Sequence, residues 1–476
     1  MKNFKSWIVV LFVLVGVPSL SQDSIALLSL KDAVDIAIAN NLQVKQSGLL
    51  ATGDSINYRQ AKANRLPNLF ANVNQGIAQG RSIDPGSNSY VDENIIFGNY
   101  GLSTNVTLFN GARLRNIVKQ NKLSYEAGKM ELQQSKEEIT LNVILAYLQV
   151  LNNQDLLLQS NNQLLVTKKQ VERLEIFNKE GSIIPAQLYE LRGQYANDEL
   201  AVITNKNAVE TAKIMLSQLL NIPYNKELQV QSLNTSEMQM VQTADPASIY
   251  NTSLTQLSIV KAAKLRTQSA DAGIKVAKGE YYPTLSLGGD LYTTYSSQAF
   301  KDIFLNSEEV ESGDFINVGG SPIPVITTKS NFNSQKINYT DQFKNNYGTS
   351  VNLNLRIPIL NAFQAKNRVA LAKTELKNRE NIEEIVKLQL RQTIEQAYLN
   401  RTAANERFQT LERQVSDFES AFKIAEVRFN AGASNQVEYL IAKNNLERTQ
   451  INLITAKYDY ILRMKILDYY QGKLLY

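Results

Sequence analysis

Residues 139–174 decide the fold and read ITLNVILAYLQVLNNQDLLLQSNNQLLVTKKQVERL. One row of apolar residues recurs here every seven positions: Val143, Val150, Leu157, Leu164 and Val171. A second row of apolar or small polar residues follows at the matching four-three offset: Ile139, Ala146, Asn153, Ser160, Thr167 and Leu174. Two interleaved rows with this spacing predict a helix that packs along a coiled-coil seam.

The same pattern occurs a second time, displaced by 251 residues. Its two rows are Ile394, Arg401, Phe408, Val415 and Phe422, and Leu390, Ala397, Ala404, Leu411, Phe418 and Ala425. An unbroken helix of roughly 67 residues would be on the order of 100 Å long, at about 1.5 Å per residue. No small core buries a helix of that length, so we expect the surrounding structure to be elongated too.

The repeat extends outward from the two helices. Each long helix follows a shorter helical pattern and two strand patterns, and each precedes a return helix. Corresponding residues of the two repeats lie 216 positions apart at Pro67 and Pro283 but 251 positions apart after the second strand. The difference places a 35-residue insertion between the strands of the second half. The Ser/Asn/Gly-rich segment 296–346 is predicted to be a lengthened loop there. We predict a signal peptide at 1–21, a first repeat at 22–223, a connector at 224–244 and a second repeat at 245–476.

The strand patterns alternate strictly between apolar and polar residues. Leu285, Leu287 and Leu291 alternate with polar or small residues, as do Val351 and Leu353. Strands of about ten residues with this alternation are typical of transmembrane β-barrels, although a sheet packed on a helix with one wet face gives the same pattern. Four strands cannot close a barrel, so membrane insertion would require several copies. Two copies would give a filled barrel of eight strands, and three would leave room for a lumen.

The composition limits the functions that are possible. Lys2 and Lys5, the apolar residues 7–17 and a small-residue site at 19–21 predict a secretory signal. Cys and His are both absent from the sequence, so thiolate and imidazole ligands and Ser-His nucleophiles are excluded. The net charge of +5 falls to +3 when the two signal lysines are removed, which does not indicate nucleic-acid binding. We expect a protein that is not an enzyme and has no cofactor or metal site.

The order and duplication of these elements resemble the TolC-type outer-membrane efflux channels over essentially the whole mature chain. The local patterns that carry the resemblance are Ala-Lys before Pro67 and Pro283, 109–111 (Phe-Asn-Gly) and 360–362 (Leu-Asn-Ala), Ala-Tyr-Leu at 146–148 and 397–399, and 428–432 (Arg-Phe-Asn-Ala-Gly). One departure is an extra residue between Phe177 and Gly181 in the first half.

The resemblance implies an α+β membrane protein: a duplicated coiled-coil tunnel and four β-strands per chain, in a trimeric twelve-stranded transmembrane barrel. It implies a homotrimer in the lipid of a Gram-negative outer membrane, with the tunnel in the periplasm. The partners would be a periplasmic adaptor (membrane fusion) protein and an inner-membrane pump of the RND or ABC type. The expected function is a passive exit duct for small molecules such as drugs or metabolites. The alternatives are a duct for type I protein secretion and an exported soluble coiled-coil scaffold.

Members of this family constrict their periplasmic entrance with acidic side chains near the helix tips. The matching residue here is Glu438, six positions after Gly432, and its first-half counterpart is Gln187, six positions after Gly181. Glu190 is a further candidate. The turns at Gly181 and Gly432 are expected to contact the partner proteins. A solvated surface glutamate and plain hairpin turns are the alternative interpretations.

Overall fold

The computed structural model describes residues 27–83, 88–92, 94–233 and 245–473. The predicted signal peptide and residues 234–244 of the predicted connector lie outside this part of the chain. The first-half elements are α1 (Leu30–Asn40), α2 (Leu42–Ala63), β1 (Asn68–Ala78), β2 (Arg81–Ile83), β3 (Tyr90–Asp92), β4 (Ile95–Phe109), α3 (Arg113–Lys179) and α4 (Pro185–Leu220). The second-half elements are α5 (Pro246–Gln256), α6 (Ser258–Lys278), β5 (Thr284–Ser296), β6 (Phe300–Val318), β7 (Ser321–Lys336), α7 (Tyr339–Asn345), β8 (Gly348–Arg356), α8 (Gln364–Asn430) and α9 (Gln436–Tyr470).

The two long helices have the predicted length and spacing. α3 and α8 each contain 67 residues and begin 251 positions apart. Every position of the two predicted seam rows is buried or half-buried in both helices. The heptad pattern therefore identified the faces of these helices that pack against other helices.

Side-chain caps fix where the shorter helices begin. The Ser29 hydroxyl accepts a hydrogen bond from the Asp32 amide at the start of α1. Asn41 interrupts the first helical segment, and its side-chain oxygen accepts from the Gln43 amide at 2.8 Å to start α2. Asp245 caps α5, whose first residue is a proline.

The chain divides into two compact units, and each takes residues from both repeats. The first unit is helical and contains residues through Gly53, Glu126–Leu265 and Asn381–Tyr476. Its largest apolar cluster includes the fully buried side chains of Val143, Tyr147, Val150, Leu216 and Leu220. The second unit contains Asp54–Tyr125 and Arg266–Glu380, and it holds the β-sheets.

The main sheet is antiparallel with the strand order β1-β4-β5-β8. Its register places most apolar side chains on one face and most polar ones on the other, although Thr104 and Thr293 lie among the apolar residues and Phe70 and Phe97 among the polar ones. One face carries Leu69, Ala71, Val73, Leu102, Val106, Leu285, Leu287, Leu291, Val351, Leu353 and Leu355. The other face carries Asn68, Asn72, Ser103, Asn105, Ser286, Asp290, Ser350, Asn352 and Asn354, and Asp290 accepts hydrogen bonds from Ser350 and Asn352. In the described part of the chain, β1 and β8 have no strand on their outer sides.

The predicted loop at 296–346 is wrong in its structure, although its position between the two strands is right. Residues 300–336 form a separate two-stranded hairpin of β6 and β7, and α7 follows it. Runs such as Phe300–Leu305 and Ile323–Ile326 have enough β-branched and aromatic residues to pair. The abundant Ser, Asn and Gly masked these runs in the sequence.

The junctions between sheet and long helix are also duplicated. Gly111 and Ala112 both have left-handed backbone conformations before α3, and Ala362 and Phe363 have them before α8. At Gly111 a Cβ atom would lie 2.8 Å from the carbonyl oxygen of Gly279, so only glycine fits there. The second junction holds two non-glycine residues in this conformation, which is a local strain.

Tyr147 fixes the ends of the first repeat to α3. Its side chain is fully buried, and its hydroxyl lies 2.8 Å from the carbonyl oxygen of Leu28 and 2.7 Å from that of Gln231. Burial raises the pKa of the Tyr147 hydroxyl to about 12. The counterpart in the second repeat, Tyr398, is half-buried, and its hydroxyl makes no hydrogen bond within residues 245–473 or the other described ranges.

Tyr147→Phe should therefore destabilise the helical unit while Tyr398→Phe should not. Loss of the hydroxyl removes its hydrogen bonds to the Leu28 and Gln231 carbonyls, each worth about 0.5–1.5 kcal/mol. Thermal unfolding followed by far-UV circular dichroism should show a lower midpoint for Tyr147→Phe only. Equal midpoints for the two variants would contradict this role of the hydroxyl.

Candidate entrance site at the helix-hairpin turns

The turns between α3 and α4 and between α8 and α9 have the same backbone geometry. Gly181 and Gly432 both have φ of +70°. The next residue in each turn bonds back five positions, from the Ser182 amide to Phe177 (2.9 Å) and from the Ala433 amide to Arg428 (2.8 Å). This is the Schellman arrangement, in which glycine takes the left-handed position at low cost. The two turns are equally long, since α9 begins 251 residues after α4.

This equal length explains the sequence departure at the first turn. Structurally, Asn178 corresponds to Phe429, and Phe177 corresponds to Arg428. The aromatic residue has moved by one position, and no residue has been inserted.

The two turns contact each other directly. The Arg173 guanidinium donates to the Asn430 carbonyl at 2.7 Å and also to the Asn430 side chain. The Gln436 side-chain amide donates to the Gln187 carbonyl at 2.9 Å. Between the turns lies a groove of about 470 Å³ with an apolar floor that includes Leu174, Phe177, Ile183 and Phe429.

Glu438 lies in the first turn of α9 on the surface of the hairpin. Its backbone amide donates to the side-chain oxygen of Asn435 at 2.9 Å, and its carboxylate forms an ion pair of 2.8 Å with Arg428. Both side chains are about half exposed, so this pair adds little stability. Arg428 was not predicted as a site residue, although it stands only ten positions away across a turn whose geometry brings the two helices side by side.

The structure places the other two predicted site residues on the facing side of α4. Gln187 is half-buried and contacts α9 through its backbone carbonyl. Glu190 is exposed and lines a groove with Val437 and Ile441 of α9. Val437 directly precedes Glu438 in the chain. Two carboxylates and one amide therefore lie around the paired turns, and one of the two carboxylates, that of Glu438, is paired with Arg428.

A buried charge pair lies deeper in the same helical unit and has no counterpart among the sequence predictions. The Lys443 ammonium contacts the Asp198 carboxylate at 3.0 Å, and both side chains are at most 3% exposed. Asp198 also accepts hydrogen bonds from Thr167 and, at 2.8 Å, from Gln194. The 251-residue offset matches Lys443 with Arg192 instead, so the duplication gives no signal for this pair.

Two further titratable groups are perturbed beside the pair. Burial raises the pKa of the Glu447 carboxyl, an effect that Lys443 partly offsets and Asp198 increases. Burial also raises the pKa of the Tyr439 hydroxyl, whose ring stacks on Phe429 with 4.9 Å between ring centroids. The core behind the turns is therefore polar and charged as well as aromatic.

Across residues 27–83, 88–92, 94–233 and 245–473, no cluster of three or more acidic residues has a metal-ligand arrangement. None of the helices in these same ranges combines the length and the hydropathy that crossing a bilayer requires.

The fold is similar to those of solved outer-membrane channels. A family model described as outer membrane efflux protein matches residues 319–468. The fold matches CusC, a transmembrane channel protein, with a TM-score of 0.74 and 17% identity over 94% of this chain and 92% of that chain. The match to the outer membrane protein VceC from Vibrio cholerae has a TM-score of 0.71 and 15% identity, over 94% of this chain and 97% of that chain.

A third structure, the CmeC outer membrane channel of Campylobacter jejuni, matches with a TM-score of 0.71 and 15% identity over 93% of this chain and 85% of that chain. No curated protein matches the sequence. The resemblance to the TolC-type outer-membrane efflux protein family is confirmed.

Lys443→Met should destabilise the helical unit by roughly 3–5 kcal/mol, because it leaves the Asp198 carboxylate buried without its counter-charge. Asp198→Asn in the same chain should restore most of the loss, since it leaves no buried charge. The amide oxygen can still accept from Gln194, and its NH2 group can donate to the Thr167 hydroxyl, which in turn donates to the Gln163 carbonyl. Denaturant unfolding measures both effects.

The matched control is Arg192→Met, which removes an exposed ion pair of 2.6 Å with Glu175 at the corresponding position of the first repeat. Exposed pairs are worth about 0–1 kcal/mol, so this change should be nearly neutral. A Lys443→Met variant as stable as Arg192→Met would contradict the assigned role of the buried pair.

Glu447→Gln should change how stability depends on pH. The folded-state pKa of Glu447 lies above its ordinary value of 4.5. The stability that the protonated carboxyl contributes is therefore fully present below pH 4.5 and is lost as the pH rises through the raised pKa. The amide removes this loss, so the variant should be more stable than the parent near neutral pH and equal to it in acid. Unfolding midpoints at several pH values test this. The control Glu412→Gln changes an exposed carboxylate and should shift nothing.

Proposed function

We propose that the protein is a passive exit duct of the outer membrane, in which three copies build one channel. The observation that carries the proposal is the four-stranded sheet, which has one mainly apolar face, one mainly polar face and two edge strands that pair with nothing in the described part of the chain. An apolar face toward lipid and a polar face toward water are what a transmembrane barrel requires.

The number of copies follows from the strands. Each backbone amide or carbonyl left unpaired in lipid costs several kcal/mol, so β1 of one copy must pair with β8 of another. Twelve strands from three copies enclose a lumen, whereas eight would be filled by side chains. The polar residues opposite the apolar face, such as Asn72, Asp290 and Asn352, would line that lumen.

The helical unit supports contact between copies. The seam rows account for one face of α3 and α8, yet large apolar side chains on other faces remain exposed in a single chain. On α4 and α8 these are Tyr189, Leu200, Ile203, Leu388, Leu399, Ile424 and Val427. Apolar rows of this kind on long helices favour packing against neighbouring helices, here those of the next copy, into a tunnel on the periplasmic side.

The duct would serve a tripartite system. In it, a periplasmic adaptor and an inner-membrane pump of the RND or ABC type supply small molecules such as drugs or metabolites, and the duct itself does no chemistry. The turns at Gly181 and Gly432 would contact these partners, and the ring of Glu438, Gln187 and Glu190 would form the entrance. The repeats 22–223 and 245–476, joined by the connector 224–244, would be the products of one duplication. The signal peptide at 1–21 would direct export.

Single-channel recording in planar bilayers tests the duct and its entrance together. If carboxylates set the potential of the entrance, Glu438→Gln should lower the preference for cations, measured as the reversal potential in a salt gradient. Arg428→Gln removes the neutralising partner of Glu438 and should shift the reversal potential in the opposite direction.

Gln187→Glu is the matched variant in the first repeat, and it should raise the cation preference because it adds a carboxylate at the corresponding place. If the protein inserts but all three variants have the selectivity of the parent, Glu438 does not lie at the entrance. A protein that never conducts would contradict the duct itself.

A further inference from the structure

The short helix α7 seals the outer end of β5. The last pair of β5 with β8 is Tyr292 with Gly348, and the residues of β5 beyond it bond to α7 instead. The side chain of Gln342, only 1% exposed, accepts from the Ser296 amide at 2.9 Å and donates to the Ser296 carbonyl at 2.9 Å. Asn346 donates to the Thr294 carbonyl at 2.9 Å. The helix thus supplies the backbone partners that β8 no longer provides.

The same helix lies on the apolar face of the sheet. The Thr293 hydroxyl donates to the Phe343 carbonyl at 3.0 Å, and Thr293 shares its face with Leu291. Tyr100 stands directly opposite Thr293 on β4, so it shares that face as well. Because side chains alternate along a strand, α7 covers the end of the apolar face and not the polar one.

Aromatic side chains join α7 to the sheet. Tyr339 lies 4.9 Å from Tyr295 and 6.3 Å from Tyr100, and Phe343 lies 5.7 Å from Tyr100, measured between ring centroids. We name these four residues the aromatic cluster. Tyr339 and Phe343 nevertheless remain 46% and 44% exposed, so about half of each ring has no protein contact in the single chain.

The position of the cluster matches the width of a membrane. From Leu285 to Thr293 the apolar face of β5 spans eight residues, or roughly 27 Å along a strand at about 3.4 Å per residue. Tilted by about 35–45°, a strand of that length rises about 19–22 Å, most of the apolar band of about 25 Å. Exposed Tyr281 and Tyr282 stand just before the start of β5, at the opposite boundary.

The hairpin of β6 and β7 differs from the cluster in its charge. Its middle carries Glu308, Glu309 and Glu311, all exposed or nearly so, which cannot enter lipid. From the sheet outward, the chain therefore passes from the apolar face to the aromatic cluster and then to a hairpin whose middle is acidic, although the hairpin also exposes apolar side chains such as Phe304 and Phe315. Tyrosine suits a lipid–water boundary because its ring is apolar and its hydroxyl is polar.

We propose that α7 and the aromatic cluster bind the headgroup region of the outer lipid leaflet, which fixes the height of the sheet in the membrane and shields the end of β5 from lipid. This inference rests on the proposed function, since it needs the apolar face of the sheet to face lipid. The partner of the aromatic cluster in this proposal is lipid at the boundary between headgroup and acyl chain. It is neither another protein nor the neighbouring copy.

Tryptophan fluorescence measures this placement directly. The only tryptophan of the chain is Trp7, in the predicted signal peptide, so the unsubstituted protein serves as the blank. Three variants each add one probe: Phe343→Trp in the cluster, Val351→Trp opposite Gly289 in the middle of the apolar face, and Phe315→Trp at the far part of the hairpin. Each is purified as the full oligomer and placed in phosphatidylcholine vesicles. The vesicles carry a quencher either near the headgroup or deep in the acyl chain.

We expect Phe343→Trp to lose more fluorescence with the shallow quencher than with the deep one, Val351→Trp to show the reverse, and Phe315→Trp to lose none. If Val351→Trp is quenched by lipid and Phe343→Trp is not, α7 is covered by protein or water and this inference is overturned while the duct survives. If Val351→Trp is not quenched either, the proposed membrane sheet itself fails.

Discussion

A peptide group in lipid has no water with which to bond, and this constraint governs the organisation of the chain. The sheet of β1, β4, β5 and β8 presents an apolar face and two outer strands, so it is incomplete as one chain in a membrane. In the proposed channel, closure with other copies would pair these edges and would turn one face to lipid and the other to the lumen. The strained left-handed junctions at Ala112 and at Ala362 and Phe363 occur where the inner strand β4 and the outer strand β8 pass into the long helices.

The helical unit meets a different requirement. Helices of 67 residues cannot be stabilised by propensity alone, and their seam rows bury apolar side chains against neighbours. Near the turns this apolar packing gives way to the ion pair of Lys443 and Asp198, with both charges removed from water. A buried pair of this kind contributes less to net stability than to selecting one arrangement, because any slip of register would leave a charge unpaired. Such a pair suits a place where two hairpins must meet in one register.

Much of the fold was predictable from the sequence because two periodicities are strong and occur twice. The heptads of Val143 and Ile394 fixed the long helices, and alternation around Leu285 and Val351 fixed the four main strands. The hairpin at 300–336 was missed because polar residues on both strands conceal the period of two. The pair of Lys443 and Asp198 was unpredictable, since it crosses the repeat and joins residues 245 positions apart. The pair of Glu438 and Arg428, in contrast, follows from the length of the turn between them.

The mass of the particle extracted from the membrane tests the proposed trimer most directly. Light scattering of the detergent-solubilised protein, with the bound detergent subtracted, counts the chains without any assumption about the channel. Three chains per particle, recovered only with detergent from the outer-membrane fraction, are the predicted result. One or two chains, or a protein that leaves the cell envelope without detergent, would contradict a sheet completed by three copies.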